Sequence, residues 1–451
     1  MGLTAADPAD INGPPMAVQL GGDSSLTRDG AGPRQSYTAA LVVLTGVFFI
    51  WGFATVLNDT LVPHFKSAFG LNYSQSLLVQ LAFYLGYFIM GLPAAKVLER
   101  TGYKLAVVLG LVGMAASAAA FVPAAILESY DMFLLALFLL ASSITLLQVA
   151  ANPYVAVIGS PQTASSRLNL VQAFNSLGTA LAPLFGAYLI FGRSTSGTVH
   201  GAVALSTHQR ASDIHTVELP YVLIAVVLLA LALLVWRVRL PDLGKETRRA
   251  ARTERARHSL WRHRNLVLGV PAIVLYMICE IGIGSTLVNF ISRPDIGGMT
   301  HEQAGTYTVF YWGGAMTGRF VGAWLLRWIS PGRLLAAVSI GALALAGIAI
   351  TSSGHLAMWS LIAVGLCHSI MFPTIFTLGI RGLGPLTEEG SGLLIMAIAG
   401  GALAELQGKL ADHIGLPLSY LMPWTCYLFI LFYAVWGCRP TGAVHDEQLV
   451  S

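Results

Sequence analysis

Apolar stretches of about 20 residues recur along nearly the whole chain, and they restrict what it can fold into. A helix of that length crosses the hydrocarbon core of a bilayer, which is about 30 Å thick. Only 11% of the residues are charged and 55% are hydrophobic, whereas a soluble protein carries about 25% charged residues. The stretches lack the alternating pattern of a transmembrane barrel strand. The sequence therefore predicts an all-α membrane protein.

Twelve membrane-spanning helices are predicted, in two halves. The spans fall at about 38–62, 75–98, 103–125, 131–158, 167–191, 218–238, 265–291, 303–326, 333–352, 356–381, 388–409 and 416–437. The charged segment RVRLPDLGKETRRAARTERARHSLWRHR separates the sixth span from the seventh. We therefore expect two six-helix bundles at 37–238 and 265–438, a basic linker at 239–264, a disordered tail at 1–36 and a second tail at 439–451.

The distribution of Lys and Arg predicts the orientation of the helices. With a cytoplasmic N-terminus, the basic residues outside the cytoplasmic segments are Lys66, Arg193, Arg210, Arg293 and Lys409 in outer loops and Arg319 inside a span. The other 20 of the 26 lie in tails and loops on the cytoplasmic side, as the positive-inside rule requires. Both termini and the linker are thus predicted to be cytoplasmic. The linker is expected to contact anionic lipid head groups and not nucleic acid.

Two acidic residues lie deep inside predicted spans. Asp59 stands in FFIWGFATVLNDTLVPHFK and Glu280 in YMICEIGIGSTLVNF. A charge at the centre of a span costs about 2.5–3.5 kcal/mol on insertion, so such residues usually face a cavity or a partner. Each carboxyl group is interpreted either as a proton carrier or as a hydrogen-bond partner between helices. Glu405 and Arg319 lie closer to predicted span ends and weigh less.

Amide side chains form a second polar group in the N-terminal half. Gln148 and Asn152 are four residues apart, and Gln172 and Asn175 are three apart, so each pair shares a helix face. Asn58 precedes Asp59. An amide offers both donors and acceptors, which suits a neutral polyhydroxylated ligand. The alternative is hydrogen bonding between helices, worth well under about 2 kcal/mol per bond.

In the C-terminal half, Asn289 lies nine residues after Glu280, about two and a half turns along a helix. A straight helix would direct the two side chains to opposite sides. We expect both to line one cavity only if the helix bends or unwinds near Gly282 and Gly284.

Tyr311 and Trp312 lie together on the predicted eighth helix. Their rings are candidates to stack on the apolar face of a sugar, and the alternative is packing or lipid contact. The four cysteines form neither a CxxC nor a metal-ligand spacing, so no metal site is predicted. Nucleotide-binding and metalloprotease motifs do not occur in the spans, and we expect neither a cofactor nor an enzyme activity.

The loop AKVLERTGYK after the second span carries an acid, a base and a glycine at fixed positions. It matches, with changes, the major facilitator loop pattern G-x-L-x-D-R-x-G-R-K. Glu99 replaces the aspartate, while Arg100, Gly102 and Lys104 are retained. The resemblance implies a latch that holds one transport conformation, and the alternative is a short basic cytoplasmic loop.

The motifs ANPYV, RLNLVQAFNSLG, YWGGAMTGRF and FPTIFTLGI resemble the fucose–proton symporter family of the major facilitator superfamily. Residues 40–437 are most similar to its bacterial glucose/galactose transporter branch. The resemblance implies a major facilitator fold, proton coupling by Asp59, and sugar contacts from Gln172 and Asn175. Gln148 lies where the fucose symporter has a second coupling glutamate. Because an amide cannot titrate, this difference favours a hexose such as glucose or galactose over fucose and leaves Asp59 alone or with Glu280.

The resemblance thus implies hexose import across a bacterial cytoplasmic membrane by alternating access, with proton symport, by a monomer. Sodium coupling and facilitated diffusion remain alternatives. N-acetylglucosamine or fucose is the alternative substrate. A sugar receptor that does not transport is the alternative from another functional class.

Overall fold

The computed structural model describes residues 37–69, 73–127, 129–191, 207–238, 240–241 and 259–440. Within these ranges, the side chains at 58–69, 73–77, 186–191 and 207–219 lie outside the description. The predicted tail at 1–36, most of the linker at 239–264 and most of the tail at 439–451 also lie outside the described residues.

The described chain forms twelve long helices, as the sequence predicted. They are α1 Tyr37–Phe69, α2 Tyr73–Thr101, α3 Tyr103–Ile126, α4 Tyr130–Val157, α5 Ala164–Phe191, α6 Thr207–Arg237, α7 Arg264–Ser292, α8 His301–Leu325, α9 Pro331–Thr351, α10 Gly354–Gly379, α11 Gly384–Ile414 and α12 Leu416–Gly437. Their ends lie within a few residues of the predicted ends, except that α6 begins at Thr207 and α1 continues to Phe69. Breaks interrupt three of them: α10 between His368 and Met371, α11 at the 3-10 segment Ala397–Ala404, and α12 at Tyr420, with a π segment at Tyr433–Gly437.

Ten of these helices are long and apolar enough to cross a membrane within the described residues. The other two are α5 and α8, which carry much of the polar character of the interior. Buried Ser165, Asn169 and Gln172 lie on α5, and Arg319 lies on α8.

The two halves repeat one packing arrangement. In the N-terminal half α1 packs on α5, α2 on α4, and α3 on both α4 and α6. Six helices later, α7 packs on α11, α8 on α10, and α9 on both α10 and α12. Each half is therefore a six-helix bundle of the same design, which is the organisation of transporters built from parallel repeats.

The two bundles meet along α2–α11 and α5–α8, with further contacts of α5 with α10 and of α4 with α11. We call the end where α6 stops and α7 starts the linker end, and the opposite end the far end. At the linker end Ser165 Oγ lies 2.6 Å from Thr377 Oγ1, and Ser166 Oγ donates to the Ala323 carbonyl at 2.6 Å. Ser391 Oγ donates to the Val149 carbonyl at 2.9 Å. These bonds close the linker end.

Glycines bring α2 and α11 together in the same region. A Cβ on Gly392 would lie 2.7 Å from the Gly91 carbonyl oxygen and 2.9 Å from the Ala95 Cβ. Further toward the far end, a cavity of about 210 Å³ lies between the same two helices. It is lined by Leu78, Gln80, Leu81, Ala402 and Glu405. The seam between the bundles is therefore tight at the linker end and contains space beyond it.

Candidate functional site

The predicted amides of the N-terminal bundle are buried and lie close to one another. Gln172 Nε2 on α5 donates to Asn152 Oδ1 on α4 at 3.3 Å. Gln148 Nε2, one turn before Asn152, donates to the hydroxyl of Tyr87 on α2 at 2.7 Å. Asn152 Nδ2 is buried without a partner among the described residues. Three helices thus bring their polar side chains to one region.

Asn175 has a different neighbour. Its Nδ2 donates to the Phe48 carbonyl on α1 at 2.8 Å, and a Cβ on Gly52 would lie 2.5 Å from that nitrogen. Gln172 therefore reaches α4 while Asn175 reaches α1, although both lie on the same side of α5. The glycine at position 52 is what permits this contact between α1 and α5.

Positions 58 and 59 belong to helix α1. The side chains of Asn58 and Asp59 lie outside the described residues. Their roles stay predictions.

In the C-terminal bundle, Glu280 on α7 and Arg319 on α8 form an ion pair, with Oε1 3.9 Å from Nη2. Their side chains are 13% and 15% exposed, respectively. Arg319 Nε also donates to the Ser369 carbonyl on α10 at 3.1 Å, and its Nη1 donates to the hydroxyl of Ser176 on α5. The Arg319 guanidinium group therefore contacts three other helices: α7 and α10 of its own bundle and α5 of the other bundle.

Arg319 lies near the end of α8, as the sequence indicated, but the sequence analysis gave it too little weight. Its Cα lies two turns from the end of α8 at Leu325, but its long side chain extends to groups on α5, α7 and α10. Cα depth along a helix underestimates the reach of an arginine, because the charged head lies several ångströms from the backbone.

The helix does not unwind near Gly282 and Gly284, because α7 is one continuous helix from Arg264 to Ser292. The condition under which Asn289 would share a cavity with Glu280 is therefore not met. The glycines instead let other side chains approach α7. A Cβ on Gly282 would clash with Oε1 of Gln407 on α11, and one on Gly284 would lie 3.1 Å from the ring of Trp312. Asn289 is exposed and, nine residues after Glu280, lies on the opposite side of α7.

The two predicted aromatic residues of α8 differ in exposure. Tyr311 is fully buried and its hydroxyl lies 2.8 Å from His368 Nδ1. The Nε2 atom of His368 lies 2.5 Å from the Tyr427 hydroxyl. This chain joins α8, α10 and α12, so in this conformation the Tyr311 ring is not presented to a ligand. Trp312 is 47% exposed and, seven residues before Arg319, lies on the same face of α8.

The predicted latch lies at the linker end, where α2 ends at Thr101 and α3 begins at Tyr103. Gly102 between them has φ 82°, a left-handed conformation that side chains other than glycine rarely adopt. Ala95, in place of the family glycine, is buried against Gly392 of the other bundle. Arg100 is exposed, and Glu99 and Lys104 are partly buried. The role of these four residues as a latch stays a prediction.

Within the described residues, no group of three or more His, Cys, Asp or Glu side chains is arranged to hold a metal ion. The candidate site is instead a set of amides, hydroxyls and one ion pair at the seam between two bundles. Such a site between repeated bundles defines a secondary transporter.

The comparisons with known proteins identify the family. Residues 43–404 match the Major Facilitator Superfamily. The chain is 46% identical over 407 residues to the glucose/galactose transporter of Brucella abortus, covering 90% of this chain and 96% of that protein. It is 34% identical over 426 residues to the L-fucose-proton symporter of Escherichia coli, covering 90% and 94%. The chain belongs to the Major Facilitator Superfamily.

Solved structures agree with this assignment. The crystal structure of the transporter FucP in the outward conformation aligns with a TM-score of 0.79 at 34% identity, covering 89% of this chain and 99% of that one. The predicted class, an all-α membrane protein with a major facilitator fold of twelve helices in two bundles, is confirmed. The predicted membership among sugar transporters is confirmed by the same relatives.

Proposed function

We propose that the protein imports a hexose, glucose and/or galactose, across the bacterial cytoplasmic membrane by alternating access together with a proton. The observation that carries this proposal is the polar seam between the bundles. There Gln172 on α5 bonds to Asn152 on α4, and Ser176, one turn after Gln172, accepts a hydrogen bond from Arg319 of the Glu280–Arg319 pair. The relatives named glucose/galactose transporter and L-fucose-proton symporter support the sugar and the proton. The protein works as a monomer, with both termini and the linker end in the cytoplasm.

In this proposal both bundles contribute to proton coupling and to sugar binding. Asp59 and Glu280 carry the proton. The sugar hydroxyls are bound by Asn58, Gln148, Asn152, Gln172 and Asn175, and the apolar sugar face packs on Trp312, with Tyr311 behind it. Buried amides suit this role because each can donate and accept.

Gln148 supports glucose or galactose over fucose as the substrate. Its amide already donates to Tyr87, so its oxygen remains to accept from a substrate hydroxyl. Because the amide cannot bind a proton, it serves recognition and not coupling. Facilitated diffusion is the second candidate, and the same absence of a titratable group at position 148 favours it.

The first experiment is uptake of labelled glucose into proteoliposomes, with and without an inward proton gradient. We expect the wild-type protein to concentrate glucose only with the gradient. Asp59→Asn should exchange glucose for glucose but not concentrate it. Equal transport by both proteins, independent of the gradient, would contradict proton coupling and favour a facilitator. Unlabelled galactose, fucose and N-acetylglucosamine, added as competitors, identify the preferred sugar.

A further inference from the structure

Arg319 divides its hydrogen bonds between the two bundles. Within the C-terminal bundle it donates from Nε to the Ser369 carbonyl at 3.1 Å. Across the seam it donates from Nη1 to Ser176. A guanidinium has five N–H donors in a fixed planar fork, so engaging one edge limits how the other edge can turn.

The contact of Arg319 with Glu280 is loose by comparison. The distance of 3.9 Å from Nη2 to Oε1 exceeds the 2.7–2.9 Å or so of a charge-assisted hydrogen bond. The pair is close enough for attraction but lacks the paired N–H···O bonds that an arginine and a carboxylate form when both are free to align. The guanidinium is instead hydrogen-bonded to Ser176 and to the Ser369 carbonyl.

The contact with Ser176 exists because the bundles are closed at the linker end. On the same two helices, Ser166 bonds to the Ala323 carbonyl and the ring of Phe174 meets that of Phe320 at 5.5 Å. If α5 moves away from α8 at this end, the bond between Arg319 and Ser176 must break. Glu280 and Ser369 belong to the same bundle as Arg319 and would move with it.

We propose that Arg319 couples the opening of the linker end to proton release from Glu280. While the bundles are closed, Ser176 holds the guanidinium away from the Glu280 carboxylate, which is therefore only loosely paired and takes up a proton from outside. When the linker end opens, Arg319 loses Ser176 and forms a bidentate pair with the Glu280 carboxylate. The carboxyl O–H bond breaks and its proton passes to water at the linker end, while Arg319 keeps its own protons. The proposal rests on the proposed proton symport.

The other titratable groups near Glu280 among the described residues leave Arg319 as its cationic partner. Tyr276 and Cys279 lie on the same helix, and the Tyr311 hydroxyl lies 3.5 Å from the Glu280 carbonyl oxygen. His368 on α10 has both ring nitrogens within hydrogen-bond distance of tyrosine hydroxyls.

The test is the dependence of gradient-driven glucose uptake on external pH, at constant internal pH, for three serine variants. Ser176→Ala removes the hydroxyl that accepts a hydrogen bond from Arg319, a contact that we call the tether. Ser176→Thr keeps a hydroxyl at this position. Ser166→Ala is the matched control, because it removes another bond between α5 and α8 without touching Arg319.

In Ser176→Ala, Arg319 can pair with Glu280 while the linker end is still closed, so protonation from outside requires a more acidic medium. We expect the external pH of half-maximal uptake to fall by on the order of one unit. Ser176→Thr and Ser166→Ala should keep the wild-type midpoint, and exchange by Ser176→Ala at acidic pH should persist.

A Ser176→Ala midpoint equal to that of wild type, with uptake still driven by the gradient, would overturn the tether but leave proton symport intact. An equal shift in Ser166→Ala would also overturn it, because loss of any bond at the seam would then suffice. A wild-type protein that exchanges glucose but ignores the gradient would overturn both proposals. The three results are distinguishable in one set of liposomes.

Discussion

At the scale of single residues, Trp312 is the aromatic side chain of the site that is open to contact. It is 47% exposed, packs beside Gly284 of α7 and meets the ring of Tyr311 edge to face at 5.0 Å. Tyr311 behind it is fixed by its bond to His368. A rigid aromatic surface next to hydrogen-bonding groups suits a sugar ring, which has both apolar faces and a polar edge.

Trp312→Phe should therefore weaken glucose binding. Loss of the larger aromatic face removes roughly 0.5–1.5 kcal/mol, or about two- to ten-fold in Kd. The measurement is the change in tryptophan fluorescence on titration with glucose, which should also lose amplitude in this variant. Trp324→Phe is the control, because Trp324 is exposed on another face of the same helix. An unchanged Kd for Trp312→Phe would remove Trp312 from the site.

Single residues also mark how far sequence reasoning extends to the site. Helical spacing predicted that Gln148 and Asn152 face the same way, and both lie in the buried polar region. Spacing did not predict that Gln172 would bond to Asn152, because the distance between two helices is not encoded in either one alone. Arg319 was undervalued for a similar reason, since its role depends on groups on three other helices.

At the scale of helices, apolar length predicted twelve elements, and glycines decide how closely they approach. The condition that Gly282 and Gly284 unwind α7 considers glycine only as a flexible residue. In the fold, the absence of a side chain at these glycines lets Gln407 and Trp312 pack closely against α7. The break in α10 after His368 lies four to five residues before Pro373, and a proline removes the hydrogen bond to the carbonyl four residues earlier and clashes with it. Tertiary contacts, which sequence periodicity does not contain, determine the part played by the glycines.

Gly178→Ala tests such a contact inside one bundle. A Cβ there would clash with the Phe49 carbonyl oxygen on α1, and a backbone atom cannot relieve the clash by a change of rotamer as a side chain can. We expect a loss of stability of about 1–3 kcal/mol, measured as a lower Tm of the detergent-solubilised protein. Gly46→Ala is the control, because no atom lies within 4 Å of a Cβ at that position. It should keep or raise Tm, since alanine favours a helix by about 1 kcal/mol over glycine.

At the scale of the whole molecule, a glycine-to-alanine substitution at the seam between the bundles should change the conformational equilibrium and not the stability of one bundle. A Cβ on Gly392 meets Gly91 and Ala95 of the other bundle, so Gly392→Ala opposes closure without disturbing either bundle internally. We expect the equilibrium to shift toward the conformation open at the linker end. The measurement is the labelling rate of Ser166→Cys by a membrane-impermeant thiol reagent, which should rise. Gly408→Ala, with no neighbour within 4 Å on the same helix α11, should leave that rate unchanged.

The repeated packing of the two bundles implies that they move as units about the seam, and the linker-end contacts must then break in every transport cycle. Ser165 and Thr377 are suited to test this, because their hydroxyl oxygens lie 2.6 Å apart across the seam. A disulfide needs Cβ atoms about 3.5–4.5 Å apart, which such a hydroxyl contact allows.

The double variant Ser165→Cys/Thr377→Cys should therefore form a disulfide under oxidation and lose glucose exchange as well as gradient-driven uptake. Reduction should restore both, which separates a lock from damage to the fold. Each single variant, given the same oxidant, controls for the four native cysteines, all of which are buried. If the cross-linked protein, verified by mass spectrometry, still exchanges glucose at the wild-type rate, the linker end does not open during transport. Alternating access about this seam would then be wrong for this protein, because a path that leaves the Ser165–Thr377 contact intact would have to carry the sugar.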